Sequence, residues 1–92
     1  MANRHISRSI VLQTLFEWDL NAIDRKEVIK VLERNVEEFA QNKTDSVFIE
    51  KLLDGVLSKQ SELDQVIEKA APEWPIDRIS PVDRNILRLG LY

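Results

Sequence analysis

The feature that most constrains the fold is a helix start near the end of the sequence, at Ser80-Pro81-Val82-Asp83. A serine hydroxyl accepts a hydrogen bond from an unpaired backbone N–H of the first turn, and proline suits the first helical position because its missing N–H is not needed there. Asp83 completes the reciprocal cap, and its charge suits the positive end of the helix dipole. The pattern predicts a helix that begins after Ser80.

This last helix is dense in apolar residues at spacings of three and four. They are Val82, Ile86, Leu87, Leu89 and Leu91. Because a single buried stripe needs fewer apolar residues than this, the pattern predicts a central helix that is buried on more than one side. No glycine cap or proline follows Tyr92, so we expect the natural domain to continue.

Helical periodicity fills the rest of the chain, and no window alternates polar and apolar residues for long enough to indicate a strand. Helix starts are expected at Asn3, Asp24, Thr44 or Asp45, and Ser61, where residues that favour N-caps precede apolar runs. Pro72 ends the fourth helix. The sequence therefore predicts an all-α bundle of about five helices.

The expected core residues follow from the same spacing. The first helix is expected to be largely buried, with Phe16 partly exposed beside a polar line. In the second helix they are Ile29, Leu32, Val36 and Phe39; in the third Phe48, Leu52 and Val56 beside Ile49, Leu53 and Leu57; in the fourth Leu63, Val66, Ile67 and Ala70. Gly55 suggests a close helix crossing, and Trp74 and Ile76 are expected to pack the following loop against the bundle.

Composition bounds the class of protein. A chain of 92 residues forms one small domain at most. It has no cysteine, no signal peptide and no apolar run long enough to cross a membrane, so we expect a cytoplasmic protein with no membrane partner. Its net charge of −3 is uneven: residues 1–16 and 78–92 each carry +2, and the remaining 61 carry −7. Basic ends can form an anion-binding face, although ordinary solvated surface explains them as well.

No constellation of residues suggests catalysis. The sequence holds a single histidine, His5, no cysteine, no glycine-rich phosphate loop and no nucleophile elbow. Carboxylate pairs such as Glu33 and Glu37 fall on a face assigned to solvent. We expect no enzyme activity, no metal site and no cofactor.

Three stretches in order resemble the NusB family of bacterial transcription antitermination factors. The first is Arg4-His5-x-x-Arg8 followed by residues 11–18, VLQTLFEW. The second is Phe48-x-x-x-Leu52-x-x-Gly55-Val56, and the third is residues 82–92, VDRNILRLGLY. Together they span nearly the whole chain, which makes the resemblance far more specific than any one stretch.

The resemblance implies that a basic first helix binds boxA-type RNA and that the protein partner is the ribosomal protein NusE. Arg4 and Arg8 match arginines of the RNA-binding segment, His5 replaces a residue that is often arginine, and Phe16 matches an aromatic at the RNA surface. Asp83 matches an acidic position at the NusE contact, with Arg84 as its basic neighbour. Cationic groups and aromatic faces are what single-stranded RNA requires of a protein.

Family members usually continue for a few more helices, so we expect residues 1–92 to be a single NusB-like domain truncated at its C-terminus, as either a fragment or a short natural variant. An apolar face comprising Val82, Ile86 and Leu89, with Ile6 and Ile10, would then seek a partner such as a second copy of the chain. The alternative to RNA binding is a helical protein–protein interaction module without RNA binding of its own. A NusB-like domain of an RNA methyltransferase is a third, lesser possibility.

Overall fold

The computed structural model describes residues 4–39 and 46–92. Within them the chain forms five α-helices and no strand, in agreement with the predicted all-α class. The helices are α1 (Arg4–Leu20), α2 (Arg25–Phe39), α3 (Ser46–Ser58), α4 (Gln60–Ala70) and α5 (Pro81–Leu91), with a 3₁₀ turn at Ile76–Arg78. The caps expected at Asn3 and at Thr44 or Asp45 lie outside the described residues.

The helix at the centre of the bundle is α1. It packs against α2, α3 and α5, whereas α5 packs against α1 and α4. The molecule measures 42 × 25 × 19 Å, and its shortest dimension is close to two helix diameters of about 10 Å. The fold is therefore two helix layers thick, and a helix at its edge, such as α5, keeps one side open.

The apolar core comes from the first four helices. Its buried members are Ile10, Val11, Leu15, Val28, Leu32, Ile49, Leu53, Val56, Leu57, Leu63 and Ile67. Ile6, Trp18 and Leu89 pack against this core from its edge. Because Ile10 is buried and Ile6 is half-buried, α1 does not extend the exposed apolar face of α5, and that part of the prediction is wrong.

The predicted core stripe of α2 is wrong in part. Val28, Leu32 and Asn35 are buried, while Ile29 and Phe39 are exposed. The buried amide of Asn35 donates to Thr14 Oγ1 at 3.1 Å and to Glu17 Oε2 at 2.9 Å, both on α1. These hydrogen bonds fix the face that α2 turns toward α1, because a buried amide needs partners that only that side supplies.

The turn from α3 into α4 lies at Lys59, and α4 begins at Gln60 without a side-chain cap, so the N-cap expected at Ser61 is wrong. Asp64, in the first turn and a half of α4, binds Arg88 of α5. The helix ends at Ala70, two residues before Pro72. Trp74 in the following loop is 65% exposed, so the prediction that it packs against the bundle is wrong.

The predicted start of α5 is confirmed. Ser80 is the N-cap, Pro81 is the first helical residue, and the Asp83 backbone N–H donates to Ser80 Oγ at 3.2 Å. Broad apolar burial of α5 is not found: four of its apolar residues are 42 to 49% exposed. They are Val82, Ile86, Leu87 and Leu91. The buried residues of this helix are Asn85 and Arg88, both polar.

Candidate nucleic-acid interface

Arg4 and Arg8 lie on the flank of α1 that faces α3. The Arg4 guanidinium carbon is 3.8 Å from the centroid of the Phe48 ring, and that of Arg8 is 5.8 Å away. Both arginines are exposed, while Phe48 is half-buried. One turn of α1 thus presents two cations around one aromatic ring, and both belong to the segment expected to bind RNA.

The other two expected RNA-binding residues lie apart from this pair. His5 is exposed and borders a groove of about 390 Å³ that Phe39 of α2 also lines. Phe16 is half-buried, in agreement with its expected partial exposure, and it follows Arg4 by 12 residues. At 1.5 Å per residue this places it about 18 Å further along α1. The structure therefore groups Arg4 with Arg8 and leaves Phe16 at the far end of the helix.

A second groove, of about 510 Å³, lies between α3 and α5 and is bordered by Arg8 of α1. Its lining residues are Arg8, Leu12, Phe48, Leu52, Ile86, Leu89, Gly90 and Tyr92. Gly55 borders the same region, because a Cβ atom placed there would collide with the Tyr92 ring. The sequence predicted a close helix crossing at Gly55, but the nearest group is the side chain of Tyr92, which follows α5. The groove is lined mainly by apolar side chains, together with the aromatic residues Phe48 and Tyr92 and the cation Arg8.

The arginines at the two basic ends of the sequence differ in whether carboxylates neutralise them. Among the ion pairs of the described residues, none includes Arg4 or Arg8, whereas Arg84 and Arg88 are both paired with aspartates. A guanidinium held by a carboxylate offers little attraction to a phosphate. The two arginines of α5 are therefore neutralised, whereas Arg4 and Arg8 of α1 and Arg78 of the 3₁₀ turn belong to no ion pair within the described residues.

The pairs of α5 form a buried ion network with α1 and α4. Asp19 of α1 binds Arg84 and also Arg88, the latter at 2.9 Å. Arg88 also binds Asp64 of α4 at 2.7 Å, and its side chain is only 5% exposed. Asn85 donates to Asp19 at 2.8 Å and accepts from Arg88 at 3.0 Å. No buried side-chain nitrogen or oxygen in the described residues lacks a hydrogen-bond partner.

This network explains why α5 turns a polar face inward. Arg84, Asn85 and Arg88 share one side of the helix, and the carboxylates of Asp19 and Asp64 lie opposite them. Burial alone would raise the pKa of Asp19, but hydrogen bonds from Arg84 and Asn85 and the charges of Arg84 and Arg88 outweigh it, so this pKa lies below its ordinary value. The hydrogen bond to Asp19 likewise raises the pKa of Arg84. The interpretation of the basic ends as ordinary solvated surface is therefore wrong for Arg84 and Arg88.

The two residues expected to contact the protein partner, Asp83 and Arg84, face different directions. Asp83 is exposed in the first turn of α5. Arg84 is half-buried; besides Asp19, it donates to the backbone carbonyls of Ile76 and Ile79 at 3.3 and 3.2 Å. Asp83 is thus open to a partner, while Arg84 fixes the start of the helix that presents it.

Sequence reasoning missed Phe48 as a neighbour of the arginines. Its spacing with Leu52 and Val56 is typical of a core row, and nothing local in the sequence links it to residues 40 and 44 positions earlier. The acidic partners Asp19 and Asp64 were missed for the same reason. In the part of the chain that the structure describes, no group of three or more histidine, cysteine or carboxylate residues could hold a metal ion, and no helix is long and apolar enough to cross a membrane.

The sequence pattern of the NusB family matches residues 5–92. The chain belongs to the NusB family. The match covers the second and third stretches on which the resemblance was based and all of the first except Arg4, and it agrees with the helical fold. The comparison with solved structures found no significant match.

Curated relatives in the family are named transcription antitermination protein NusB. The relative from Desulforudis audaxviator is 37% identical over 89 residues, which are 97% of this chain and 62% of that protein. Those from Myxococcus xanthus and Listeria monocytogenes are 34% and 37% identical and are covered over 66% and 63% of their length. The chain therefore spans about three fifths of the length of the curated relatives it matches.

Proposed function

We propose that this chain is an RNA-binding transcription antitermination factor that binds boxA-type RNA together with the ribosomal protein NusE. The observation that carries the proposal is the pair Arg4 and Arg8, which face one aromatic ring and belong to no ion pair within residues 4–39 and 46–92. Membership of the NusB family, whose curated relatives are named antitermination proteins, supports the same function.

Arg4, His5, Arg8 and Phe16 are the proposed RNA contacts. The arginines would neutralise phosphates, and His5 would hydrogen-bond the backbone or a base edge from the neighbouring face of α1. Phe16 would stack on a base about 18 Å along the helix from Arg4. A surface of this length, with cations at one end and an aromatic residue at the other, suits an extended single strand.

A titration of boxA-type RNA into the chain at 50 and 200 mM salt tests the proposal. Each phosphate contact with a single strand contributes a slope of about −0.7 to the dependence of log affinity on log salt. Two arginine contacts therefore predict a slope near −1.4, and about a sevenfold loss of affinity between those concentrations. The Arg4→Ala/Arg8→Ala variant should bind weakly and nearly independently of salt.

A matched control removes two lysines that lie elsewhere. Lys26 and Lys69 are exposed on α2 and α4, and neither forms an ion pair within the described residues. The Lys26→Ala/Lys69→Ala variant has the same net charge as the arginine variant. If both double variants lose affinity equally, total charge rather than the α1 pair governs binding, and the proposed site is wrong.

We propose Asp83 and Arg84 as the residues for NusE, with Asp83 in direct contact and Arg84 holding the first turn of α5 in place. Asp83→Asn keeps the backbone hydrogen bond to Ser80 and removes only the charge. We expect it to weaken NusE binding in calorimetry, while Glu68→Gln, at an exposed acid on α4, should not. Equal affinities of the two variants would exclude the Asp83 contact.

The second candidate is a helical protein–protein interaction module without RNA binding. Four apolar residues of α5, namely Val82, Ile86, Leu87 and Leu91, favour it because they lie exposed along one short helix. Docking through this face should be nearly independent of salt, and self-association would appear in light scattering as a mass above that of one chain. Absence of RNA binding at low salt, with such association present, would favour this candidate.

A further inference from the structure

The Phe48 ring differs from a typical core side chain because a guanidinium group of α1 lies over it. Its row on α3 lies beside the buried row of Ile49 and Leu53, and the ring is half-buried and lines the groove between α3 and α5. The Arg4 guanidinium carbon lies 3.8 Å from the ring centroid, which is the separation of two stacked planes. One face of the ring therefore meets the Arg4 guanidinium group.

Two cations over one ring favour an anion nearby. Arg8 lies 5.8 Å from the same centroid, and the ion pairs among residues 4–39 and 46–92 provide neither arginine with a carboxylate. The attraction of each guanidinium to the ring is modest at an exposed site. A phosphate that accepts hydrogen bonds from the guanidinium groups would compete well with it, since charge-assisted bonds to phosphate are stronger.

Resting on the RNA-binding function proposed above, we propose that Phe48 is a base-stacking residue of the RNA site, covered by Arg4 in the free protein. When a phosphate draws Arg4 off the ring, a nucleobase takes its place. The exchange preserves a stacked, planar partner on the ring, so the hydrophobic face is never left to water. The groove beyond Phe48, with Leu52 and Leu89 in its walls, gives the base an apolar surface next to the two cations.

The experiment compares Phe48→Leu, Phe48→Tyr and the wild-type chain in RNA titrations. A base stacked on an aromatic ring predicts that Phe48→Leu loses roughly 5- to 150-fold in affinity. Phe48→Tyr keeps the ring and should stay within about threefold of wild type. The salt dependence should be unchanged in both, because stacking releases no counterions. Trp74→Leu, which removes an exposed aromatic residue elsewhere, should leave affinity unchanged.

A direct readout separates stacking from a structural effect. Phe48→Trp places a fluorescent indole at the site, and a stacked base should quench it well beyond any change that Trp18 and Trp74 show in the wild-type chain. Far-UV circular dichroism and thermal unfolding of each variant establish that it is folded. The proposal would be overturned if Phe48→Tyr lost as much affinity as Phe48→Leu. It would also be overturned if the indole of Phe48→Trp stayed unquenched in a complex that forms.

Failure of this inference is distinguishable from failure of the proposed function. If the wild-type chain binds RNA, Arg4→Ala/Arg8→Ala does not, and Phe48→Leu binds as wild type, the function stands and the stacking role is wrong. If the wild-type chain shows no RNA binding at low salt, the proposed function and the stacking role of Phe48 are both wrong.

Discussion

Replacing Asp19 with asparagine tests whether the buried ion network holds α5 on α1. Asp19 accepts hydrogen bonds from Arg84, Asn85 and Arg88. Asparagine preserves the shape of the side chain, but it removes the charge and turns amide N–H groups toward guanidinium donors. Both arginines then lose a carboxylate in a region from which water is largely excluded.

The expected loss follows from the burial of the partners. Removing one member of a buried ion pair costs about 3–5 kcal/mol. Arg88 is 5% exposed but retains Asp64, and Arg84 is 17% exposed, so water can rehydrate part of its charge. We therefore expect the lower end of that range, about 3 kcal/mol in the free energy of unfolding. In a domain of this size that corresponds to a fall in Tm of roughly 12–24 °C.

Urea unfolding followed by far-UV circular dichroism at neutral pH measures this change. Asp54→Asn is the matched control, because Asp54 pairs with Arg25 at 3.1 Å and both side chains are more than half exposed, at 76% and 53%. Breaking that pair should cost less than about 1 kcal/mol. Losses of similar size in the two variants would refute the reasoning that burial makes the Asp19 network important.

Three further outcomes are expected. The pKa of Asp19 is lowered in the folded chain, so the stabilisation that its charge provides is complete above the ordinary aspartate pKa of about 3.9 and is lost as pH falls through the folded value. The free energies of unfolding of wild type and Asp19→Asn should therefore converge below about pH 4. Ser80→Ala should lower the free energy of unfolding by about 1 kcal/mol, because the Asp83 N–H loses its acceptor; no change in a urea midpoint would contradict this role. Leu32→Ala should cost about 2–5 kcal/mol and Ile29→Ala under about 1 kcal/mol, and equal losses would contradict the observed orientation of α2.

The places where sequence reasoning failed share one cause. Periodicity identified which residues of α5 share a face, but it assigned the apolar face to the core and the arginines to the surface. The buried partners of those arginines are Asp19, 65 positions before Arg84, and Asp64, 24 positions before Arg88. No local pattern relates residues so far apart, and the same holds for Phe48 beside Arg4.

The sequence by itself determined the features that depend on neighbouring residues. The cap at Ser80, the end of α4 before Pro72 and the helical class all follow from hydrogen bonds and sterics within a few positions of the chain. Only the tertiary structure decided which face of α5 is buried, which helix lies at the centre and which basic residues keep their charge available. These outcomes depend on carboxylates and aromatic rings that other helices supply, because the cost of burying a charge depends on the partner that it meets.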